Sequence, residues 1–484
     1  MGIEVTLAEL DADPHPVLAR LRAEGPVAWL PALGAWLVTG YDVALAVLRD
    51  SRTFTVDDPR FATARVVGPS MLSLDGAEHA RHRGPFSAPF RADAVHAKLA
   101  EFTQAETDRL VSSIEPSGAA ELRRAVAGPL AVAVMAEALG LSGTDPATIL
   151  SWYDQIVAAT AAQAGAPADA GPPDTGAFEQ LAAAMHRVIA APAPDALLAD
   201  VTGPLAEAEV ISNAAVLMFG GIETTEGMIA NAMLHLLTNP AALAEVREDP
   251  ALIPPAVEES LRLEPAAAIV DRYATADSTI GGAAIRAGDQ VTVSITGANR
   301  DPAVFPDPHR FQLRRPNAAK HLAFAHGPHF CLGAHLARLE ARVAVATMLA
   351  RLPQLRLAGP ATVGGLVFRK PPELPVRWET DGGSVLLMTE DFHRDRREHG
   401  GASQRLDQDK LDRLTEEERV DTGLDAFDPD EVPPATDEPP LPEDLPATDQ
   451  VLAEEAEIRR EVDKGDLRTI DEQHPFPPTR YEDS

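Results

Sequence analysis

Cysteine is almost absent: Cys331 is the single one in 484 residues. That excludes an intramolecular disulfide, and it excludes a four-cysteine zinc ribbon or iron–sulfur cluster built by this chain alone. Basic residues are few beside the acids, 42 Lys and Arg against 74 Asp and Glu, for a formal net charge of −32. A chain this negative repels nucleic-acid phosphates and anionic lipid surfaces, so neither is expected as a partner. Aromatic residues make up 5%, and no apolar run approaches the ~18 residues that would read as a membrane helix. The opening MGIEVTLAELDADPHP lacks the basic and apolar regions of a secretory leader. No G-x-G-x-x-G unit or P-loop is found, so no fused nicotinamide, flavin or nucleotide domain is expected. The reading is a soluble, cytoplasmic monomer.

Apolar residues are abundant, at 45%, enough for a large core padded with alanine. Their pattern stops near residue 380. Residues 381–484 carry 31 acids and 12 bases, and the stretch 428–446 alone has seven prolines, which regular helix or sheet does not accept. The chain therefore divides into a folded body, 1–380, and an acidic, Pro-rich, largely disordered tail, 381–484, with one short helix expected at 448–462. In the body, PVAWLPALGAWLVT (26–39) alternates as a hairpin with its turn at Pro31–Gly34. Most of 92–160 and 178–262 has helical spacing, and strand-like pieces return at 266–295. Residues 162–176 form an Ala/Gly/Pro connector suited to a lid, and a last helix spans about 334–351. The fold class is mainly α with small β-sheets in one large domain.

Four stretches carry chemistry. The first is FAHGPHFCLGAHLAR (324–338), where Cys331 sits just before an amphipathic helix whose amides and dipole favour a thiolate. Gly327 and Gly333 keep side chains away on both sides, as close approach to a flat cofactor requires, and Phe324 and Phe330 screen the sulfur. The second is LMFGGIETTEGMIANAMLHLL (217–237), a helix apolar nearly all round yet interrupted by Gly220, Gly221, Glu223 and Thr224. Two mid-helix glycines cost about 1 kcal/mol each, and a buried carboxylate needs a partner; either a tolerated kink with Glu223 exposed or salt-bridged, or a bulge with an acid–hydroxyl proton relay, accounts for both. The third, VEESLRLEP, holds Glu259 and Arg262 at i, i+3, ordinarily a solvated helix face. The fourth, DGAEHARHRGPFSAPF, places His79 and Arg83 on one helical face.

In this order and over about 300 residues, these stretches resemble the haem loop, oxygen-activating helix, E-x-x-R helix and propionate-binding helix of the cytochrome P450 family. The resemblance covers roughly 10–379 and implies a haem-thiolate fold. It implies haem b with Cys331 as the iron ligand, Phe324, Gly333, Gly220 and Gly221 against the cofactor, and His79, Arg83, Arg272 and His329 on its propionates. It implies proton delivery by Thr224 and Glu223, and a structural triad of Glu259, Arg262 and Arg310. Ala325 stands where glycine is common, and PHRF replaces the usual PERF. The implied activity is a monooxygenase that puts one atom of O2 into a hydrophobic substrate. Leu217, Gly221, Ala267–Val270 and Phe368 are the implied substrate-facing residues. Electrons would come from a separate ferredoxin and its reductase, docking on arginines such as Arg338 or Arg342. A peroxygenase using hydrogen peroxide and a non-catalytic haem sensor are the alternatives; the Glu223–Thr224 pair speaks against both.

Overall fold

The alternation at 26–39 forms the expected hairpin: Val27–Leu30 runs antiparallel to Ala35–Val38, with Val27 opposite Val38 and Leu30 opposite Ala35. Gly34 closes the turn at φ 62°, a left-handed value that costs a residue with a Cβ about 1–2 kcal/mol. Trp29 and Trp36, directly opposite each other, make an edge-to-face pair with centroids 5.5 Å apart. The hairpin is one side of a five-stranded sheet. Ala35–Val38 pairs in parallel with Gln290–Ser294, which pairs antiparallel with Ile269–Ala274, and the short strand Phe54–Thr55 forms the edge. The strand-like sequence at 266–295 thus builds the sheet's far half and a small separate ribbon, Ser278–Ile280 with Ala283–Ile285.

The computed structural model describes residues 5–163, 174–193, 196–201 and 205–380. The centre of the connector, 164–173, and the tail 381–484 with its expected helix lie outside the described residues.

The remainder is helical. The 32-residue helix Glu207–Thr238 is apolar on nearly every face and is accordingly surrounded. Gly128–Ala138, Ile253–Leu263 and Ala334–Arg351 all pack against it. Asn239 follows its last turn, and Pro240 opens the next helix. The bulge expected at its glycines is not there; the helix is regular α throughout. Packing overrides the weak local propensity, because a Cβ on Gly221 would come within 2.4 Å of Met135 Sδ. The irregular turn falls instead on a neighbour, the five-residue π-helix Arg123–Ala127 that leads into Gly128–Ala138. Among the described residues, no helix is long and apolar enough to cross a membrane.

Candidate functional site

The loop before Ala334–Arg351 is shaped by its own backbone. The Cys331 amide donates to the Phe324 carbonyl at 2.8 Å, and Gly333 is the N-cap of the helix. Gly327, at φ 69°, is required by packing and not by a cofactor: its Cβ would stand 2.6 Å from the Leu48 carbonyl oxygen. Gly333 differs, since a Cβ there would meet no atom within 4 Å. Ala325 sits at φ 58°, in the left-handed region that favours glycine. Ala325→Gly is therefore expected to raise stability by about 0.5–1 kcal/mol, the relief of strain less the added chain entropy of glycine; urea unfolding is the check. Burial pushes the Cys331 thiol pKa up, while the Gly333 amide, Arg83 and Arg338 pull it back toward the thiolate. Phe324 is buried beside Phe330 with ring centroids 6.5 Å apart, and Arg338 lies over its ring at 4.4 Å.

Arg338 also makes a two-pronged pair with Glu258, at 2.7 and 2.9 Å. It is committed inside the fold, which removes it as a docking cation. Arg342, 43% exposed at its side chain, lies 3.8 Å from the same glutamate.

His79 and Arg83, on the helix Gly76–Ser87, come together with Arg272 of the strand Ile269–Ala274 and His329 of the cysteine loop. The two imidazole rings are 4.4 Å apart, and His329 Nε2 pairs with Asp75 Oδ1 at 2.8 Å. Arg83 donates to the Phe330 carbonyl at 2.6 Å. Burial, reinforced by the positive neighbours His329 and Arg83, takes the His79 pKa down to about 3. Burial lowers Arg272 to about 10 against the opposing pull of Asp75 and Asp271. The cluster gathers nitrogen donors and positive charge around the carboxylate of Asp75.

The long helix exposes one narrow stripe in an otherwise buried stretch. Leu217, Gly220, Gly221 and Thr224 recur at helical spacing and are accessible, whereas Met218, Ile222 and Thr225 are buried. A Cβ on Gly220 would meet nothing within 4 Å, so Gly220 faces open space and Gly221 faces Met135. The Thr224 hydroxyl donates back to the Gly220 carbonyl. Glu223 is held by two residues that its local sequence does not announce, Tyr153 and Lys370. Phe368, two positions before Lys370, packs on Phe219 with centroids 5.8 Å apart.

Arg310 is not the third member of the charge triad. Glu259 is fully buried and takes Arg262 at 2.7 and 2.9 Å and Arg315 at 3.0 Å on both oxygens. Arg310 contributes only its carbonyl oxygen, which accepts from Arg262 and Arg315. The turn at Asp307, φ 48°, directs that carbonyl inward and leaves the side chain exposed. A second buried cluster, unannounced by any motif, joins Glu264 to Arg369 at 2.6 Å, His15 at 2.9 Å and Arg300 at 3.3 Å. Burial alone would raise the Glu264 pKa; His15 and the two arginines hold it at about 2.

The family model described as Cytochrome P450 matches residues 193–353. Cytochrome P450 monooxygenase PikC of Streptomyces venezuelae is 37% identical over 395 residues, covering 76% of this chain and 91% of the relative. The chain belongs to the cytochrome P450 family. Nocardicin C N-oxygenase of Nocardia uniformis subsp. tsuyamanensis is also 37% identical, over 396 residues, 76% of this chain and 96% of that one. Among solved structures, that of CalO2 superimposes with a TM-score of 0.70 at 28% identity, covering 77% of this chain and 99% of the other. The protein is thus a P450 monooxygenase, and the cofactor of the family is haem.

The residues present fit that group. His79 Nε2 is buried with no partner, as an atom awaiting an acceptor would be. The donor excess around Asp75 suits two propionates. Gly220 and Gly333 each leave open space where a Cβ would stand, as close approach of a flat group requires.

Proposed function

We propose that this P450 inserts one oxygen atom of O2 into a hydrophobic organic substrate, with two electrons delivered by a separate ferredoxin and reductase. The carrying observation is a half-buried single cysteine at the start of the helix Ala334–Arg351, which packs on the long helix that carries a Glu–Thr pair on its accessible stripe. Cys331 would be the iron ligand, with Phe324 shielding its sulfur and Gly333 clearing the face beside it. His79, Arg83, Arg272 and His329 would hold the propionates. When bound, a haem with a thiolate ligand supplies the electron density that favours O–O cleavage.

The chain's own task is then proton supply. Thr224, at the open stripe, is the group placed to hand a proton onward, and Glu223 is the carboxylate that can reload it. Thr224→Ala should keep haem binding, leaving the reduced carbon-monoxide spectrum unchanged, while sending most electrons to hydrogen peroxide. Peroxide and product per NADPH, in a ferredoxin-driven assay, measure this; unchanged coupling would take Thr224 out of the reaction.

Substrate contact falls to Leu217, the open side of Gly220, Ala267–Val270 and Phe368, all apolar or small, which favours an uncharged organic molecule. A relative named as an N-oxygenase of nocardicin C supports oxygen transfer to an organic small molecule. Gly221, turned to Met135, is not among the contacts. Ferredoxins are acidic, and with Arg338 committed to Glu258 their docking would lean on Arg342 and its surroundings. A ferredoxin-driven enzyme with a lone thiol belongs in the cytoplasm.

A further inference from the structure

Two adjacent carboxylates on the helix Ile253–Leu263 serve different parts of the molecule. Glu259 holds the buried triad, while Glu258 reaches Arg338 on the helix that follows the cysteine loop. Arg338 Nε donates to Glu258 Oε1 at 2.7 Å, and a terminal guanidinium nitrogen donates to Oε2 at 2.9 Å. His321 brings a further donor. Its Nδ1 accepts from the Ala323 amide at 3.1 Å, which leaves Nε2 to donate to Glu258 Oε2 at 3.0 Å. Burial opposes an ionised carboxyl here, but Arg338 and His321 outweigh it and hold the Glu258 pKa well below the usual carboxylate range.

The guanidinium fixed in this way lies 4.4 Å from the centre of the Phe324 ring. Phe324 in turn accepts the Cys331 amide on its carbonyl at 2.8 Å and has His321 beside it, with ring centroids 5.8 Å apart. Two cations, Arg83 and Arg338, have fields that reach the Cys331 sulfur. Arg83 donates to a neutral group, the Phe330 carbonyl. Arg338, in contrast, is set against a full countercharge.

We propose that Glu258 is a positioning residue for the iron ligand: it fixes Arg338 against Phe324 and cancels its charge, so that the Cys331 sulfur keeps its electron density for the haem. The inference rests on the reading of Cys331 as that ligand. A cation left bare near a thiolate draws density away from it and favours the reduced, more negative state of the site. Its partner carboxylate therefore acts on the reduction potential, with a sign set by charge. An ion pair that served rigidity alone would carry no such sign, because loosening the loop from either side would disturb the site in the same way.

The test is the haem reduction potential of the loaded protein, followed by spectroscopic redox titration beside the reduced carbon-monoxide spectrum. Glu258→Gln keeps the size of the side chain and removes its charge, so the potential should rise. The ferric–ferrous equilibrium should move about tenfold toward ferrous, the worth of one unit charge over ~10 Å at an effective dielectric of ~20. For one electron that is ~59 mV. Arg338→Gln removes the cation and leaves the carboxylate, so the potential should fall. Glu258→Gln combined with Arg338→Gln should return it to the native value, although this variant loses the most hydrogen bonds. A native potential in Glu258→Gln, or single variants that shift in the same direction, overturns the inference. Should Glu258→Gln fail to take up haem, Arg338→Gln decides, and a potential unchanged or raised there overturns it as well. The native carbon-monoxide spectrum tests the reading beneath. Without the strongly red-shifted Soret band the sulfur is not the ligand; with it, an unmoved potential in Glu258→Gln refutes the role of Glu258 alone.

Discussion

Glu259→Gln is expected to be the most destabilising single substitution in the body of the protein. The change removes the countercharge of two guanidiniums at once, Arg262 and Arg315, both buried. Glutamine can offer one acceptor where the carboxylate offers two, and Gln312, whose amide donates to Glu259 Oε1 at 2.9 Å, competes for it. Breaking a buried pair by taking away one partner costs about 3–5 kcal/mol, against a total stability of about 5–15 kcal/mol for a folded domain. Little folded protein should accumulate, and what does should unfold at markedly lower urea. The same geometry ranks the arginines. Arg315→Ala should approach the loss seen with Glu259→Gln, because it empties one side of the carboxylate and frees the carbonyls of Pro306, Asp307 and Arg310. Arg310→Ala should be nearly silent, since that residue works through its main chain alone. Equal losses at the two positions would return Arg310 to the triad.

That ranking marks the limit of what linear spacing carries. The i, i+3 pair Glu259–Arg262 is visible in sequence because a helix puts both on one face. The third partner lies in an irregular segment with Arg310, Arg314 and Arg315 within six positions, and which one turns inward depends on a left-handed Asp307 that no periodicity encodes. Elements with a period were legible: the hairpin at 26–39 and the helix from Ala334 stand within a few residues of their expected bounds, and the long helix ends where expected although it begins earlier, at Glu207 rather than Leu217. The glycines were legible as sites of close approach, but not as to what approaches. Gly327 and Gly221 make room for Leu48 and Met135, while Gly220 and Gly333 leave open space. The carboxylate of the long helix needed a partner by simple desolvation, and its partner Lys370, 144 residues from the neighbouring Glu226, could be found only by folding the chain.

Cys331→His should separate holding the cofactor from using it. The donors that would grip the propionates, His79, Arg83, Arg272 and His329, come from a helix, a strand and a loop, and they need nothing from the sulfur except the loop's backbone. That backbone is set by the Cys331 amide to the Phe324 carbonyl, the Gly327 turn and the Arg83 bond to the Phe330 carbonyl, none of which uses the Cys331 side chain. The variant should therefore still take up haem. Its reduced carbon-monoxide complex should lose the strongly red-shifted Soret band of thiolate ligation, and product formation should fall by at least about a hundredfold, the scale on which one electrostatic partner of a reacting centre counts. Arg272→Ala should do the reverse, with haem lost more readily on dilution while the fraction retained keeps the thiolate band. Were Cys331→His to keep that band, the sulfur would not be the ligand, and the screening by Phe324 and the pull of Gly333, Arg83 and Arg338 on the thiol would need another purpose.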